Sequence, residues 1–143
     1  MIVLSLDIGK KGGVVIYDYY SKEYILKETF SFNNSYKDVY DYLNILRDKY
    51  FTNKKVVIVI GEAFGQRVVV KKHSKFYGVI ELFSEMFDYN VVYYNDVHCR
   101  SVILGKGNGQ KKDMVQEKYK EATPDISDAR LFLDTFLLEY IDK

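Results

Sequence analysis

The segment IVLSLDIGKKGGVVIYDYYSKEYILKETF, residues 2–30, reads as three strands in succession. Residues 2–8 are apolar almost without a break, as a strand buried on both faces would be. GKKGG then makes a turn, and 14–19 and 23–30 continue as strands, so the three form an antiparallel meander. Working outward, 36–50 space Val39, Tyr42, Leu43, Leu46 and Tyr50 at helical intervals. VVIVI at 56–60 is a short β-branched strand, central and parallel. Helical periodicity resumes over 74–88, and VVYY at 91–94 is a fifth strand. The remainder is helical, interrupted by GKGNG at 105–109. The order βββαβαβ followed by helices implies an α/β chain: a mixed five-stranded sheet with helices on both faces.

At 143 residues the chain suits a single domain spanning 1–143, with room for a substantial core. It is 48% hydrophobic and 29% charged, which argues against disorder. No apolar run reaches the ~18 residues of a membrane span, so no membrane association is expected. MIVLSLD lacks the basic flank and cleavage site of a signal peptide. The lone Cys99 suits a reducing compartment and a structural role.

The net charge of +1 conceals an uneven distribution. Residues 66–76 hold Arg67, Lys71, Lys72 and Lys75 with no acid. Residues 98–112 hold Arg100, Lys106, Lys111 and Lys112, again with none. Two such patches suit a phosphate-rich partner as well as they suit solvated faces.

The acids are more informative. Asp7 is the one charge in an otherwise apolar strand, and a buried carboxylate is costly unless paired or coordinated. Glu62 follows VVIVI and Gly61 directly, at the carboxyl end of another strand, where ligand sites of such sheets gather. Thr123 and Pro124 cap a last helix, TPDISDARLFLD. On it Asp125 and Asp128 project about 60° apart, from one face. Asp134 falls about half a turn away and reads as an exposed ion pair with Arg130 at i,i+4. Four converging carboxylates repel one another unless cations hold them. An all-oxygen set suits Mg²⁺ or Mn²⁺ rather than zinc, and two such ions could clamp a phosphoryl transfer.

LSLDIGKKGG, VIVIGEAF, GKGNGQKKDMV and DISDARLFLD come in the order and rough spacing of the RuvC-type Holliday junction resolvases, and the chain resembles that family over essentially its whole length. The short length and Lys-, Asn- and Tyr-rich composition are closer to phage or poxvirus members. The resemblance implies a ribonuclease H-like fold and a metal-dependent endonuclease that resolves four-way DNA junctions by paired cuts. It implies Mg²⁺, two ions per site with Mn²⁺ able to substitute, held by Asp7, Glu62, Asp125 and Asp128. By the same resemblance Lys112 acts at the scissile phosphate or supports the metals. Phe64, two residues past Glu62 rather than three as in the bacterial enzyme, is a candidate junction wedge. Lys106 and Lys111 are candidate backbone contacts, and His73 is a phosphate contact or a bystander. Location would be the cytoplasm of a phage-infected or virus-infected host.

Paired cuts imply a homodimer, with its surface expected on 74–88, where Phe76, Val79, Ile80, Phe83 and Phe87 form an apolar stripe. Two other functions compete. One is a short RuvC-like ribonuclease trimming ribosomal RNA precursors, disfavoured by Glu62 and the GKGNG–lysine segment. The other is a non-catalytic branched-DNA binder, disfavoured by the four acids. Ribonuclease H proper would need a second acid on the helix at 36–50, from Asp38 or Asp41. An actin-like ATPase would need two such lobes.

Overall fold

The structure is a computed structural model describing residues 1–9, 11–31, 35–62, 67–105 and 112–142, with the backbone alone along 67–73 and 112–113. Its sheet has the order β3-β2-β1-β4-β5. β1 (Ile2–Asp7) pairs antiparallel with β2 (Gly12–Asp18) and parallel with β4 (Val56–Gly61). β3 (Glu23–Phe30) closes one edge antiparallel to β2, and β5 (Asn90–Tyr94) closes the other parallel to β4. The central place of β1 explains its unbroken apolar run. Residues from Ile2 to Leu6 are all buried, whereas edge strand β3 alternates exposed and half-buried positions.

Helices cover both faces. α1 (Tyr36–Leu46), extended by a π-helical turn Arg47–Phe51, and α2 (Arg67–Met86) lie on one side. There Leu4, Leu6, Ile58 and Ile60 meet Val39, Leu43, Phe76, Ile80 and Phe83. α3 (Asp96–Leu104), α4 (Lys112–Tyr119) and α5 (Pro124–Phe136), with its π-helical turn Leu137–Ile141, lie on the other. There Val3, Val15, Val57 and Val59 meet Cys99, Val115, Ala129, Leu133 and Phe136. Each large side chain buried in this way contributes roughly 1.5–3 kcal/mol of transfer free energy. Ser35, Asn95 and Thr123 cap α1, α3 and α5 by accepting from amides in each first turn. Among the described residues no helix is long and apolar enough to cross a membrane.

Three expectations change. α2 begins at Arg67 rather than 74. The β-branched run of valines at 68–70 masked its helical period. Of the stripe expected to mediate dimerisation, Phe76, Ile80 and Phe83 are core residues, and Val79 and Phe87 pack partly buried against them. Among the described residues of α2, the large apolar side chains offered to solvent are Leu82 and Met86, each more than half exposed. Arg100 is not part of a surface patch either. It is 5% exposed, with its guanidinium 3.5 Å from Asp96, one turn earlier on α3.

Candidate active site

The parallel pairing of β1 and β4 brings two acids to one edge of the sheet. Leu6 pairs with Ile60, so Asp7 ends its strand level with Gly61, one residue short of Glu62. The Glu62 amide donates to the Tyr94 carbonyl at 2.6 Å, continuing the β4–β5 ladder past the strand end. The Tyr77 hydroxyl donates to the Gly61 carbonyl at 3.0 Å from the α2 side. Those two bonds fix the backbone that carries Glu62, and its side chain is exposed.

Strand alternation puts Val3, Ser5 and Asp7 on the face covered by α5. Ser5 is fully buried, and its hydroxyl donates to the Ala129 carbonyl at 2.6 Å. This bond holds α5 to β1 two residues before Asp7 and one residue after Asp128. A second close approach lies one strand over. Gly13 is the register partner of Asp7. A Cβ on Gly13 would run into the carbonyl of Asp125 and lie 2.8 Å from the Ile126 nitrogen. The first turn of α5 therefore rests on the bare backbone of Gly13, directly beside Asp7. Asp7, Asp125 and Asp128 are all half-buried there.

The donor chemistry fits a hard divalent cation, because every candidate ligand is a carboxylate oxygen. The backbone carries Asp7, Glu62 and the Asp125–Asp128 turn to one edge, but the side chains do not form a ready-made cage. Among the described residues no group of three or more His, Cys, Asp or Glu side chains lies close enough together to hold an ion. Carboxylates brought near one another repel, so closure of such a cage would accompany cation binding.

The other site candidates divide by what is described. Lys75 is exposed on α2. Arg67, Lys71, Lys72 and His73 are placed on α2, and Lys112 opens α4, as backbone positions only. Phe64, Lys106 and Lys111 lie outside the described residues. Ser5 and Gly13 were missed in the sequence. Their signals were there, in the second polar residue of an apolar strand and in a glycine immediately before the apolar run VVIY.

Asp134 is not the exposed ion pair its i,i+4 spacing suggested. It is half-buried and accepts from the Tyr119 hydroxyl at 2.6 Å. Arg130 turns instead to Glu121 and to the Tyr24 hydroxyl, each at 3.0 Å, and its guanidinium packs over the rings of Tyr24 and Tyr119. Burial pushes the Asp134 carboxyl above its ordinary range, more than the Tyr119 hydrogen bond and the Arg130 and Lys118 charges pull it down. With the folded value raised, the charged form costs stability above that value, and the cost disappears once pH falls below the unfolded value of about 3.9. Asp134→Asn keeps an oxygen for Tyr119 and removes the charge. It is expected to hold or raise Tm at pH 7, to lose that advantage near pH 3, and to leave any activity within a few-fold. Calorimetric melts at the two pH values check this, and a large Tm loss at pH 7 would contradict it.

No protein-family model matches the chain, and no curated protein matches it. Solved structures do. Thermus thermophilus RuvC aligns with a TM-score of 0.67 at 16% identity, covering 96% of each chain. T. thermophilus RuvC in complex with Holliday junction substrate aligns at 0.67 and 14% identity, covering 92% of this chain and 89% of that one. The fold is that of RuvC. The mixed five-stranded sheet with helices on both faces is thus the ribonuclease H-like architecture, as the order of elements implied. At such low identity the likeness to RuvC speaks for the path of the chain, and the chemistry has to be argued from the residues.

Proposed function

We propose that this chain is a divalent-metal-dependent endonuclease that resolves four-way DNA junctions. The observation that carries the reading is the meeting at one sheet edge of Asp7, Glu62 and the Asp125–Asp128 turn, with Ser5 and Gly13 seating that turn beside Asp7. The RuvC fold supports it, since one of the RuvC structures that match is itself a complex with a Holliday junction substrate. Asp7, Glu62, Asp125 and Asp128 would hold two Mg²⁺ or Mn²⁺ ions, which when bound supply a more acidic water and neutralise charge on the phosphate being cut. Asp7, Asp125 and Asp128 would orient that attack from the α5 face of the sheet, with Glu62 at the end of the neighbouring strand. Lys112 offers a positive charge to the scissile phosphate. Arg67, Lys71, Lys72 and Lys75, together with Lys106 and Lys111, hold flanking phosphates, and Phe64 probes the branch point. A homodimer presents two such sites to a roughly two-fold symmetric junction. The chain's length and composition suit the short phage or viral type.

Labelled four-way, flap and linear duplex DNA and a structured RNA, each incubated with Mg²⁺ or with chelator, test the reading. Metal-dependent paired cuts in the four-way junction are expected. Cleavage of the RNA alone would favour the ribonuclease reading, and binding without cleavage would leave a branched-DNA binder. Neutralising Lys71, Lys72 and Lys75 together is expected to weaken junction binding and flatten its salt dependence. The slope of log K against log salt falls by about 0.9 for every lysine–phosphate pair that is removed. An unchanged slope, read from anisotropy titrations over a salt series, would return this patch to a solvated helix face.

A further inference from the structure

Besides the Tyr119–Asp134 bond, a second side chain that the chemistry above leaves unused joins α4 to α5. Gln116 sits on α4 one turn after Lys112. Its Oε1 accepts from the Ser127 hydroxyl at 2.5 Å, and its Nε2 donates to the Glu121 carbonyl at 2.7 Å. Ser127 is fully buried and lies between Asp125 and Asp128. Its own amide donates to the Thr123 carbonyl at 3.2 Å, so backbone and hydroxyl are both committed. At the far end of the bridge, the Glu121 carboxylate takes Arg130 at 3.0 Å and Lys27 of β3 at 2.8 Å. The chain of bonds thus runs from the acid-bearing turn through α4 to the edge strand.

We propose that Gln116, through Ser127, is a positioning residue that sets the helix opened by Lys112 against the turn carrying Asp125 and Asp128. The inference rests on the reading that these residues form one metal-dependent site. An amide is suited to the task because it presents an acceptor to the hydroxyl and a donor to the carbonyl at once, which fixes its orientation. Neither Gln116 nor Ser127 touches substrate in this scheme. They act on the ligands, and a displacement of about 1 Å in such a constellation can cost a hundredfold in rate. A bond that merely joined two helices would affect stability alone.

Ser127→Ala and Gln116→Leu distinguish these roles when compared with Thr135→Val. The last removes another buried hydroxyl from α5, one that donates to Leu131 within the helix at 2.8 Å. Mg²⁺ and Mn²⁺ binding is read by titration calorimetry, Tm is read without metal, and amide exchange across 126–129 is followed in the metal-free protein. All three variants are expected to lose some Tm. Only Ser127→Ala and Gln116→Leu are expected to bind metal about tenfold more weakly, in the range that follows removal of a group orienting a metal ligand, and to exchange faster across 126–129. Metal affinity and exchange at wild-type levels in both, with wild type binding metal normally, would overturn the positioning role and leave the site intact. A wild-type protein that binds no divalent metal would overturn both. Should Ser127→Ala not fold, Gln116→Leu at its half-buried position decides the matter.

Discussion

Asp7→Asn is expected to abolish metal-dependent cleavage of a four-way junction while leaving junction binding within a few-fold. The carboxylate stands at the end of the central strand, level with the turn that bears Glu62 and beside the first turn of α5. Replacing it by an amide removes one negative charge and, on the proposed reading, one strong cation ligand without changing the shape of the strand. The loss should exceed the roughly ten- to hundredfold cost of removing a group that only orients a metal ligand, because here the ligand itself goes. Binding should survive, since on the proposed reading the phosphates are held by basic side chains and not by a carboxylate. Single-turnover cleavage and a chelator-containing binding titration separate the two effects. Asp125→Asn and Asp128→Asn are expected to follow Asp7→Asn, whereas Asp134→Asn is not. Cleavage by Asp7→Asn near the wild-type rate would remove the residue from the site.

What the sequence made legible follows from local rules. A five-residue β-branched run and a Thr-Pro helix start each depend on neighbours in the chain, and each appears where its pattern put it, whereas the paired glycines expected in the turn open β2 instead. The meeting of Asp7 with the Asp125–Asp128 turn could also be anticipated, because an isolated charge in an apolar strand needs company and a helix wheel gives its acids a common side. Tertiary partners were less accessible. Arg130 at i,i+4 was the only partner for Asp134 that spacing could suggest. Tyr119 on α4 and Glu121 before α5 instead divide the two charges between them. Arg100 counted as surface charge in a linear tally, yet the period of α3 turns it inward, next to buried Cys99. The aromatic stripe of α2 carries no mark that tells a sheet-covering face from a partner-covering one. The sheet takes Phe76, Ile80 and Phe83, so a dimer using α2 would have to engage residues such as Leu82 and Met86.

Gly13→Ala is expected to be the most damaging substitution outside the acids themselves. Its Cβ would enter the space of the Asp125 carbonyl and crowd the Ile126 nitrogen at 2.8 Å. Both are backbone atoms of a capped helix start, so no side-chain rotation can relieve the clash. Either β2 withdraws from α5 or the first turn of α5 lifts from the sheet, and each moves Asp125 away from Asp7. Overpacking against backbone belongs at the upper end of its usual range, about 3 kcal/mol. For a chain of this size that corresponds to a Tm loss of roughly 6–12 °C. Gly9→Ala supplies the control from the turn that precedes β2. Its Cβ would meet nothing within 4 Å, and it should stay within about 0.5 kcal/mol of wild type. Thermal melts and Mg²⁺ titrations on the two variants read both consequences. Stability and metal affinity in Gly13→Ala equal to those in Gly9→Ala would mean that α5 is not seated on β2, and the argument that joins Asp125 to Asp7 would fail with it. If instead Gly13→Ala folds with reduced stability and metal affinity falls with it, the bare backbone at this position is what lets a strand acid and a helix acid share one site.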